Sequence, residues 1–308
     1  MNFIQDEDSQ QLQEMYRDFA EKEVKPIAKE IDESMRFPSE NIPKMAEMGL
    51  LGIPFPEEFG GAGMTTLSYI QCVEELSKVC ATTGVIVSAH TSLCATPIYT
   101  YGTDAQKEKY LKPLASGEQL GAFALTEPVA GTDASMQKST AVLEGDHYVL
   151  NGSKIFITNA GFADVYIVFA MTDKSKGTKG ISAFILEKDF PGFSVGTHEV
   201  KMGIRGSSTC ELFFDNCIVP KENLLGVEGK GFSLAMATLD GGRIGVAAQA
   251  LGIAEGAIEE TIKYVNERVQ FGRTISKFQN TQFELAQMRA NTEAAKLLVY
   301  QAACAKDN

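Results

Sequence analysis

The apolar residues change their spacing twice along this 308-residue chain, and this change constrains the fold more than any other feature. From residue 9 to about residue 115 they recur every three or four positions, as on one face of a helix. From about 121 to 225 the spacing becomes two, among β-branched and aromatic residues typical of strands, and after Gly226 the helical spacing returns. We therefore predict an α+β fold with three domains: an N-terminal α-helical domain (1–120), a middle β-barrel or β-sandwich domain (121–225) and a C-terminal helical bundle (226–308).

Two stretches of the N-terminal region carry signals for helix ends. In "SENIPKMAEMG", Ser39 is a candidate N-terminal cap and Gly49 a candidate stop. The stretch "TDAQKEKYLKPLASG" predicts a helix that opens at Thr103 or the next residue and breaks before Pro113.

The middle and C-terminal regions each carry one further signal. "YVLNGSKIFIT" indicates a β-hairpin with Asn151-Gly152 at its turn, because this pair tolerates positive φ angles. The last helix is predicted to bury a stripe made of Leu285, Met288, Thr292, Ala295 and Val299. Because this run reaches Asn308 without a returning helix, we expect the bundle to be incomplete.

Charge and cysteine usage indicate the compartment and exclude some partners. A net charge of −12 argues against a nucleic-acid partner, since phosphate backbones are held by clustered Lys and Arg. No apolar run approaches the length of a membrane span, and the N-terminal "MNFIQDED" lacks the basic and apolar regions of a leader peptide. We therefore expect a cytoplasmic protein without a membrane partner, and buried, reduced thiols at the six scattered cysteines.

Several common catalytic motifs are missing from the sequence. It contains no GxSxG, GxxxxGK[ST] or GxGxxG pattern, which argues against a serine hydrolase, a P-loop and a Rossmann nucleotide site. The histidines, His90, His147 and His198, have no metal-like neighbours at helical or hairpin spacing, so no metal site is predicted. His147 is expected at the surface, in the turn "EGDHY".

The loop "LTEPVAGTDAS" has two interpretations. Thr126 and Thr132 offer hydroxyls, and Gly131 allows close backbone approach, so the loop could hold a polar ring edge and a phosphate. The same composition also fits an ordinary turn in which Glu127 and Asp133 are solvated. From the residues alone, both interpretations stay open.

Two other stretches are equally ambiguous. In "KIFITNAG", Phe156 and Thr158 lie two apart and would share one face of a strand, where they could flank a planar cofactor or simply belong to a core strand. In "TLDGGRIG", Asp240 and Arg243 lie three apart and would be neighbours on a helix, either at a binding site or as a surface ion pair.

Five motifs taken in order resemble those of the acyl-CoA dehydrogenase family. They are "FALTEPVAGTDAS", "NGSKIFITNAG", "MGIRGSS", "LDGGRIGVAAQALGIA" and "RVQFGRTISKFQ". The resemblance runs over essentially the whole chain and is strongest to the short-chain (butyryl-CoA) dehydrogenases. It implies the same order of helical, β and helical domains, and a bound FAD cofactor.

The resemblance also implies which residues hold FAD. Phe123–Thr132 would form the cradle, with Thr126 at the pyrimidine edge of the flavin and Gly131 and Thr132 near the pyrophosphate. Phe156 would lie against the isoalloxazine, where many relatives have Trp. The complete cofactor-binding set implied is Phe123, Ala124, Leu125, Thr126, Gly131, Thr132, Phe156, Ile157, Thr158, Arg268, Phe271 and Gln279.

Four members of that set carry specific roles in the family. Thr158 would hydrogen-bond flavin N5, the atom that receives the hydride. Arg268, Phe271 and Gln279 match positions that reach the FAD of a neighbouring subunit, which implies a homotetramer built as a dimer of dimers.

The resemblance further implies a substrate and a reaction. Thr132, Asp240, Gly241, Gly242 and Arg243 match the CoA-substrate channel, where Arg243 would supply a fixed positive charge for an anionic CoA ester. The implied reaction is α,β-dehydrogenation of a short-chain acyl-CoA, butyryl-CoA to crotonyl-CoA, in fatty acid metabolism. Electrons would pass to an electron-transfer flavoprotein.

The sequence departs from the family at the catalytic base. Most relatives carry this Glu in a "YEGT"-like stretch near the C-terminus, and a minority carry it in the segment matching "LDGGR", where this sequence has Gly242. Neither a "YEGT"-like nor a "QxxGGxG" stretch occurs in the sequence. We therefore expect the catalytic Glu to lie beyond Asn308, and assign no catalytic residue within the 308 positions.

Three alternatives share this ancestry. The first is a flavin- and CoA-binding scaffold that lacks a base. The second is an acyl-CoA oxidase, which hands electrons to oxygen. The third is a branched short-chain acyl-CoA dehydrogenase, acting for example on isobutyryl-CoA.

Overall fold

The structure is a computed structural model, and it describes residues Glu7–Asp307, apart from the side chain of Asp8. The prediction about a leader peptide concerns residues that lie largely outside this range. The described residues contain helices and strands in the predicted order, helical, then β, then helical. The predicted fold class is therefore confirmed.

Helices occupy both ends of the chain. They are α1 (Glu7–Phe19), α2 (Lys25–Ser34), α3 (Asn41–Glu47), α4 (Thr66–Val79), α5 (Ala81–Ser88), α6 (Thr96–Tyr101), α7 (Asp104–Gln106), α8 (Lys112–Ala115), α9 (Gly231–Glu267) and α10 (Gln279–Asp307). Three π-helical segments join neighbouring helices: Ala20–Val24, Ala89–Ala95 and Lys107–Leu111. None of the described helices is long and apolar enough to cross a membrane.

The strands lie mainly in one mixed sheet. They are β1 (Gly121–Ala124), β2 (Thr140–Glu144), β3 (His147–Thr158), β4 (Val165–Met171), β5 (Ile181–Glu187), β6 (Phe193–His198), β7 (Thr209–Pro220) and β8 (Leu224–Leu225). Their order is β6-β7-β3-β2-β4-β5-β8, and β1 pairs in parallel with β4. A separate two-stranded ladder joins β9 (Val269–Gln270) to β10 (Arg273–Thr274).

Strand β4 is buried along its whole length because its two faces enter two different apolar clusters. Val165, Ile167 and Phe169 pack in the first cluster, with residues of the π-helical segment Ala89–Ala95 and of the helix that follows it. The intervening side chains of β4 pack in the second cluster, against side chains of β3 and β7. Because successive side chains of β4 point to opposite faces, helices cover one face of the strand and the other half of the sheet covers the second face.

The hairpin predicted at Asn151-Gly152 is wrong. Strand β3 continues through both residues, and the turn between β2 and β3 falls at Gly145 and Asp146, where Glu144 pairs with His147. A shift in the β3–β7 register at Gly152 marks a β-bulge instead. A Cβ at Gly152 would lie 2.4 Å from the Ser139 hydroxyl, so the glycine is needed for close approach of β2's start.

The predicted helix boundaries are partly wrong. Helix α3 begins at Asn41 without a side-chain cap, so Ser39 is not its cap, although Gly49 does adopt a positive φ after the helix. Thr103 caps α7 through a capping box, as predicted. The break predicted before Pro113 is wrong, because the helical backbone continues from the π-helical segment Lys107–Leu111 through Pro113 to Ala115.

The described chain divides into two compact units. One unit comprises residues 7–29, 65–85 and 244–307, and the other comprises Glu30–Met64 and Ile86–Arg243. The three domain boundaries predicted from the sequence remain a prediction.

The first unit contains a cluster of buried charges. Glu74 of α4 is fully buried, and its carboxylate accepts hydrogen bonds from Lys296 Nζ and Tyr300 Oη of α10, each at 2.7 Å. Lys78 lies 2.7 Å from Glu255 of α9. We name Glu74, Lys78, Glu255, Lys296 and Tyr300 the charge cluster, and it ties three helices together.

The face of α10 that packs is not the predicted apolar stripe. Of that stripe only Thr292 is buried; Met288 is 41% exposed. The side of α10 that faces α4 carries Lys296 and Tyr300 of the charge cluster, and the buried Ala303 lies further along the same side. The prediction missed this face because it relied on the spacing of apolar residues, whereas the contacts of this face are polar.

Replacing Gly252 of α9 by Ala is predicted to destabilise the protein by about 1–3 kcal/mol. A Cβ at this position would lie 2.3 Å from the Glu74 backbone oxygen, so the two helices must move apart. Helix propensity alone would make this substitution stabilising by about 1 kcal/mol. The exposed Ala250→Gly change in the same helix serves as control and should cost about 1 kcal/mol. Urea unfolding of the three proteins checks this, and a Gly252→Ala protein more stable than wild type would contradict the close approach.

Replacing Glu74 by Gln is predicted to remove a pH dependence of stability. Burial raises the pKa of Glu74 to about 7, opposed by the nearby Lys296 ammonium. A carboxyl whose folded pKa exceeds its unfolded value binds more protons when folded, so its contribution to stability is present at low pH and is lost as pH rises through about 7. Between pH 5 and pH 8, Glu74→Gln should therefore gain about 3 kcal/mol relative to wild type.

Denaturant unfolding across this pH range measures the effect. Glu284→Gln, an exposed carboxylate of α10, is the matched control and should follow the wild-type profile. A difference between Glu74→Gln and wild type that stays constant with pH would show that Glu74 does not titrate as stated.

Candidate functional site

A cavity of about 500 Å³ lies within the unit that contains the sheet. Its volume is in the range of small-molecule and cofactor sites. The residues that line it are Ala89, Leu93, Phe123, Leu125, Thr126, Gly131, Thr132, Asp133, Ala134, Ser135, Phe156, Ile157, Thr158, Phe232, Met236 and Leu239. Eight of them belong to the predicted cofactor-binding set.

The first wall of the cavity is the loop that follows β1, which we name the cradle loop (residues 125–137). Phe123 of β1 precedes it and packs edge to face on Phe169 of β4, with ring centroids 5.1 Å apart. A short 3₁₀ turn, Ala134–Met136, closes the loop, and the Asp133 carboxylate caps it by accepting from the Ser135 N–H. The loop thus leaves β1 at a fixed aromatic ring and ends in a capped turn.

The second wall is the end of β3, and its geometry comes from a β-bulge. The β3–β7 register shifts between Lys154 and Ile157, and Phe156 lies there with φ of 59°. Phe156 is 59% exposed and lines the cavity, together with Ile157 and Thr158. Phe156 and Thr158 are accessible at the cavity, as expected of residues that share one face, whereas Ile157 borders the cavity but is buried in the second apolar cluster.

The third wall is helical, and sequence reasoning missed it. Phe232, Met236 and Leu239 recur at spacings of four and three, so they lie on one side of the first turns of α9. Leu93, from the π-helical segment Ala89–Ala95, adjoins them, and a Cβ at Gly242 would lie 2.5 Å from its Cδ2. The signal was present in "GFSLAMATLDGG", which carries this spacing directly before a glycine pair.

Three hydroxyls in the cavity have no hydrogen-bond partner among the residues that the structure describes. Within the described part of the chain, no hydrogen bond engages the side chains of Thr126, Thr132 or Thr158. Beside them, a Cβ at Gly131 would meet no atom within 4 Å, so the backbone there borders open space. An apolar cavity with unengaged hydroxyls at its edge suits a planar ligand with a polar rim. Among the described lining residues, Asp133 is the only carboxylate.

A buried ion pair lies beneath the cradle loop, and sequence reasoning missed its role. Lys154 of β3 is fully buried, and its Nζ lies 2.8 Å from Glu127 Oε1. Glu127 is 3% exposed, so the interpretation of this loop as an ordinary turn with a solvated Glu127 is wrong. Burial lowers the pKa of Lys154 to about 8 against the opposing charge of Glu127, while the Lys154 ammonium and nearby N–H groups hold the pKa of Glu127 below its usual value against burial.

Two further buried polar residues fix the ends of β1 and β3. His90 Nδ1 accepts from the Gly121 N–H at 3.0 Å, and His90 Nε2 lies 3.1 Å from the Leu114 oxygen. Burial lowers the pKa of His90 to about 4, so the ring is neutral, and Nε2 is the donor. Asn159 donates to the backbone oxygens of Ile86 and Gly121, each at 3.2 Å. These contacts are structural, and they align the two strands that lead into the cavity.

The other predicted site residues lie elsewhere. Ala124 is buried in the second apolar cluster rather than at the cavity. Asp240 and Arg243 form an exposed ion pair of 3.0 Å, and they directly follow the lining residue Leu239. Gly241 and Gly242 lie between them in α9.

The residues predicted to reach a neighbouring subunit line no part of this cavity. Arg268 and Gln279 are exposed, and Phe271 is 93% exposed at the tip of the β9–β10 turn, with φ of 51°. They belong to the unit that contains α10.

Comparison with known proteins gives the family. Models of the acyl-CoA dehydrogenase N-terminal, middle and C-terminal domains match residues 6–118, 122–217 and 229–308. The short-chain-specific acyl-CoA dehydrogenase of Clostridium acetobutylicum is 62% identical over 99% of this chain and 81% of its own length.

Solved structures agree with these matches. The structure of butyryl-CoA dehydrogenase from Megasphaera elsdenii superposes with a TM-score of 0.97 at 54% identity, covering 99% of this chain and 81% of that one. A chain in a structure described as the electron transferring flavoprotein of Acidaminococcus fermentans gives a TM-score of 0.98 at 61% identity, over 99% of this chain and 80% of that one. The protein belongs to the acyl-CoA dehydrogenase family.

Proposed function

We propose that the protein is an FAD-dependent short-chain acyl-CoA dehydrogenase, which converts butyryl-CoA to crotonyl-CoA and passes electrons to an electron-transfer flavoprotein. One observation carries the proposal: the cavity combines three aromatic side chains with three threonine hydroxyls that have no partner among the described residues, in a chain 62% identical to a short-chain-specific dehydrogenase. Members of this family bind FAD. The short acyl chain in the proposal is taken from the names of two relatives, a short-chain-specific acyl-CoA dehydrogenase and a butyryl-CoA dehydrogenase.

The cavity fits the flavin part of FAD. Phe156 supplies an exposed ring beside the place of a planar ligand, and Thr126 and Thr158 supply hydroxyls for its polar edge. Gly131 and Thr132 offer an open backbone and a third hydroxyl, which suit a phosphate. We therefore retain all the predicted cofactor residues at the cavity, and assign Ala124 a supporting place in the core.

The substrate channel is proposed to begin at α9. Arg243 pairs with Asp240 in an exposed ion pair, and such pairs contribute about 0–1 kcal/mol, so an anionic CoA group can displace the carboxylate. Thr132 lies at the edge of the cavity. Leu239 of α9 lines the cavity and is followed directly by Asp240 of the ion pair. Short acyl chains suit the apolar side chains Leu93 and Met236.

In this reaction bound FAD supplies the acceptor for the β-hydrogen of the substrate. The chain's own residues exclude water and orient the ligand. The helical wall excludes water, and Phe156 and Thr158 orient the planar ring. No Glu lines the cavity among the residues that the structure describes, so we assign no base to those residues.

Assembly and location complete the proposal. We propose a homotetramer in which Arg268, Phe271 and Gln279 reach the FAD of a neighbouring subunit, supported by the 93% exposure of Phe271. The three domain boundaries, near residues 120 and 225, are retained as part of the proposal. A cytoplasmic location suits the six free cysteines; five are buried as predicted, whereas Cys304 is exposed, so the prediction of burial is wrong for that residue.

Replacing Thr158 by Val is predicted to weaken FAD binding without changing the stability of the FAD-free protein. Its hydroxyl has no partner in the part of the chain that the structure describes, so the loss should change the free energy of unfolding by less than about 0.5 kcal/mol. Thr172→Val is the matched control, because that hydroxyl bonds Gly180 O and Ser182 Oγ. The control should lose about 1 kcal/mol of stability and keep its FAD affinity. Flavin fluorescence titration and thermal unfolding separate the two results, and equal FAD affinities for Thr158→Val and wild type would contradict the assignment.

Anaerobic titration with butyryl-CoA tests the function itself. The protein is loaded with FAD, its visible spectrum is recorded, and butyryl-CoA is added, with free CoA as control. Because no base is assigned to the described residues, butyryl-CoA should shift the flavin band of this 308-residue chain without bleaching it. Bleaching that an electron-transfer flavoprotein reverses is expected of a protein that also carries the catalytic Glu. Binding of FAD without any response to butyryl-CoA would contradict the proposed substrate, and bleaching by the 308-residue chain alone would contradict the placing of the Glu beyond Asn308. Oxygen uptake would instead indicate an oxidase.

A further inference from the structure

Lys154 is a buried charge that the proposed reaction does not use. Its side chain is fully buried, in a strand whose inward positions are otherwise apolar, such as Tyr148 and Leu150. It lies two residues before Phe156, which lines the cavity. A buried lysine is rare unless its ammonium is fully paired, so its partners show what it does.

All three N–H groups of the Lys154 ammonium have acceptors on the cradle loop. The acceptors are the Leu125 backbone oxygen at 3.0 Å, Glu127 Oε1 at 2.8 Å and Gln137 Oε1 at 3.1 Å. A lysine ammonium has three donors, so none is left over. Leu125 and Gln137 are the two ends of the loop, and one side chain therefore holds both ends.

Glu127 extends this attachment to the backbone. Its Oε2 accepts from the Lys138 N–H at 2.6 Å and its Oε1 from the Ser139 N–H at 3.2 Å. Its own backbone exchanges two hydrogen bonds with Ala130, which closes a tight turn. The loop residues proposed to contact the ligand therefore lie between two loop ends that Lys154 and Glu127 hold by hydrogen bonds.

Stability alone does not account for this pair. Removing two charges from water is costly, and replacing a buried ion pair by neutral side chains of similar volume often leaves stability unchanged or raises it. Lys154 fixes the position of the loop through three hydrogen bonds, which an apolar side chain cannot make. In addition, the Ile155 N–H donates to the Thr126 oxygen at 2.9 Å, so the strand and loop meet directly beside the cavity.

We propose that Lys154 is a positioning residue for the cofactor: it holds the cradle loop where Thr126, Gly131 and Thr132 can contact FAD. This inference rests on the proposed function, because it takes FAD as the occupant of the cavity. Glu127 acts with Lys154 by fixing the direction of the ammonium and the start of β2.

The test compares Lys154→Met, the double variant Lys154→Met/Glu127→Gln and wild type in full-length protein. FAD affinity is measured by flavin fluorescence quenching at pH 7, and the melting temperature of each FAD-free protein is measured separately. Lys154→Met should weaken FAD binding by about tenfold or more and lower the melting temperature, because Glu127 is left unpaired. The double variant removes both charges, so it should regain most of the melting temperature but not the FAD affinity. That split is what a purely structural role would not produce.

Lys78→Met is the matched control. Lys78 is nearly buried and lies 2.7 Å from Glu255, as Lys154 lies 2.8 Å from Glu127, but it belongs to the charge cluster of the other unit and lines no part of the cavity. The control should lower the melting temperature and keep FAD affinity within about twofold of wild type.

Hydrogen exchange of the FAD-free proteins gives a second readout. Amides of residues 126–139 should exchange about tenfold faster in Lys154→Met than in wild type, while those of β4 should not change. Unchanged exchange in the loop would overturn the proposal.

The outcomes separate this inference from the function on which it rests. If wild type binds no FAD, the proposed function fails and this inference fails with it. If wild type binds FAD and Lys154→Met binds it within about twofold, this inference alone is overturned. It is also overturned if the double variant recovers FAD affinity together with its melting temperature.

Discussion

Burial of β4 on both faces is the constraint from which the position of the cavity follows. Its side chains alternate between two apolar clusters, so the chain must cover one face with helices and the other with strands β3 and β7. Strand β1 pairs in parallel with β4, and the cradle loop therefore leaves the sheet at the carboxyl end of β1. Because β3 ends beside that loop, the two segments that line the cavity meet there. A cavity at the end of paired strands is thus a consequence of how the core is covered.

The backbone next to the cavity departs from regular strand geometry, with positive φ values and β-bulges. Phe156 and Asn159 adopt positive φ values of 59° and 68°, and β3 is bulged at two places. Positive φ costs an ordinary residue about 1–3 kcal/mol, and surrounding contacts must hold it. Asn159 is held by its bonds to Ile86 and Gly121, whereas Phe156 is exposed. Of the described non-glycine residues with positive φ, Phe156 is the one that lines the cavity, so there the strained backbone presents a ring to it.

The sequence predicted the periodic part of this structure and missed the part that depends on distant contacts. Spacings of two and of three to four predicted the order of helices and strands, and the resemblance carried by five motifs predicted half of the described residues that line the cavity. Gly152 was taken for a hairpin turn because the dipeptide signal is local, while the bulge depends on close approach of Ser139. The pairing of Lys154 with Glu127 spans 27 positions and has no local signature beyond a charge at an inward strand position. The packed face of α10 was missed for a related reason, because its contacts are made by Lys296 and Tyr300 rather than by apolar side chains.

Polar side chains around the cavity fall into two groups, and the difference between them separates structure from function. His90, Lys154 and Glu127 are buried, and each is hydrogen-bonded within the protein. The fold needs them satisfied, because an unpaired buried polar group costs about 1–3 kcal/mol. Thr126 and Thr158 lie on the same two segments, yet their hydroxyls have no partner in the described chain.

Folding alone does not favour this arrangement. Valine would fill the space of either threonine, and a β-branched apolar residue suits the end of β3 equally well. Water can satisfy the hydroxyls while the cavity is open, but a ligand that excludes water must replace those hydrogen bonds itself or lose affinity. The unengaged hydroxyls therefore select for a ligand with acceptors or donors at its edge, whereas the satisfied ion pair beneath them determines where that edge must lie.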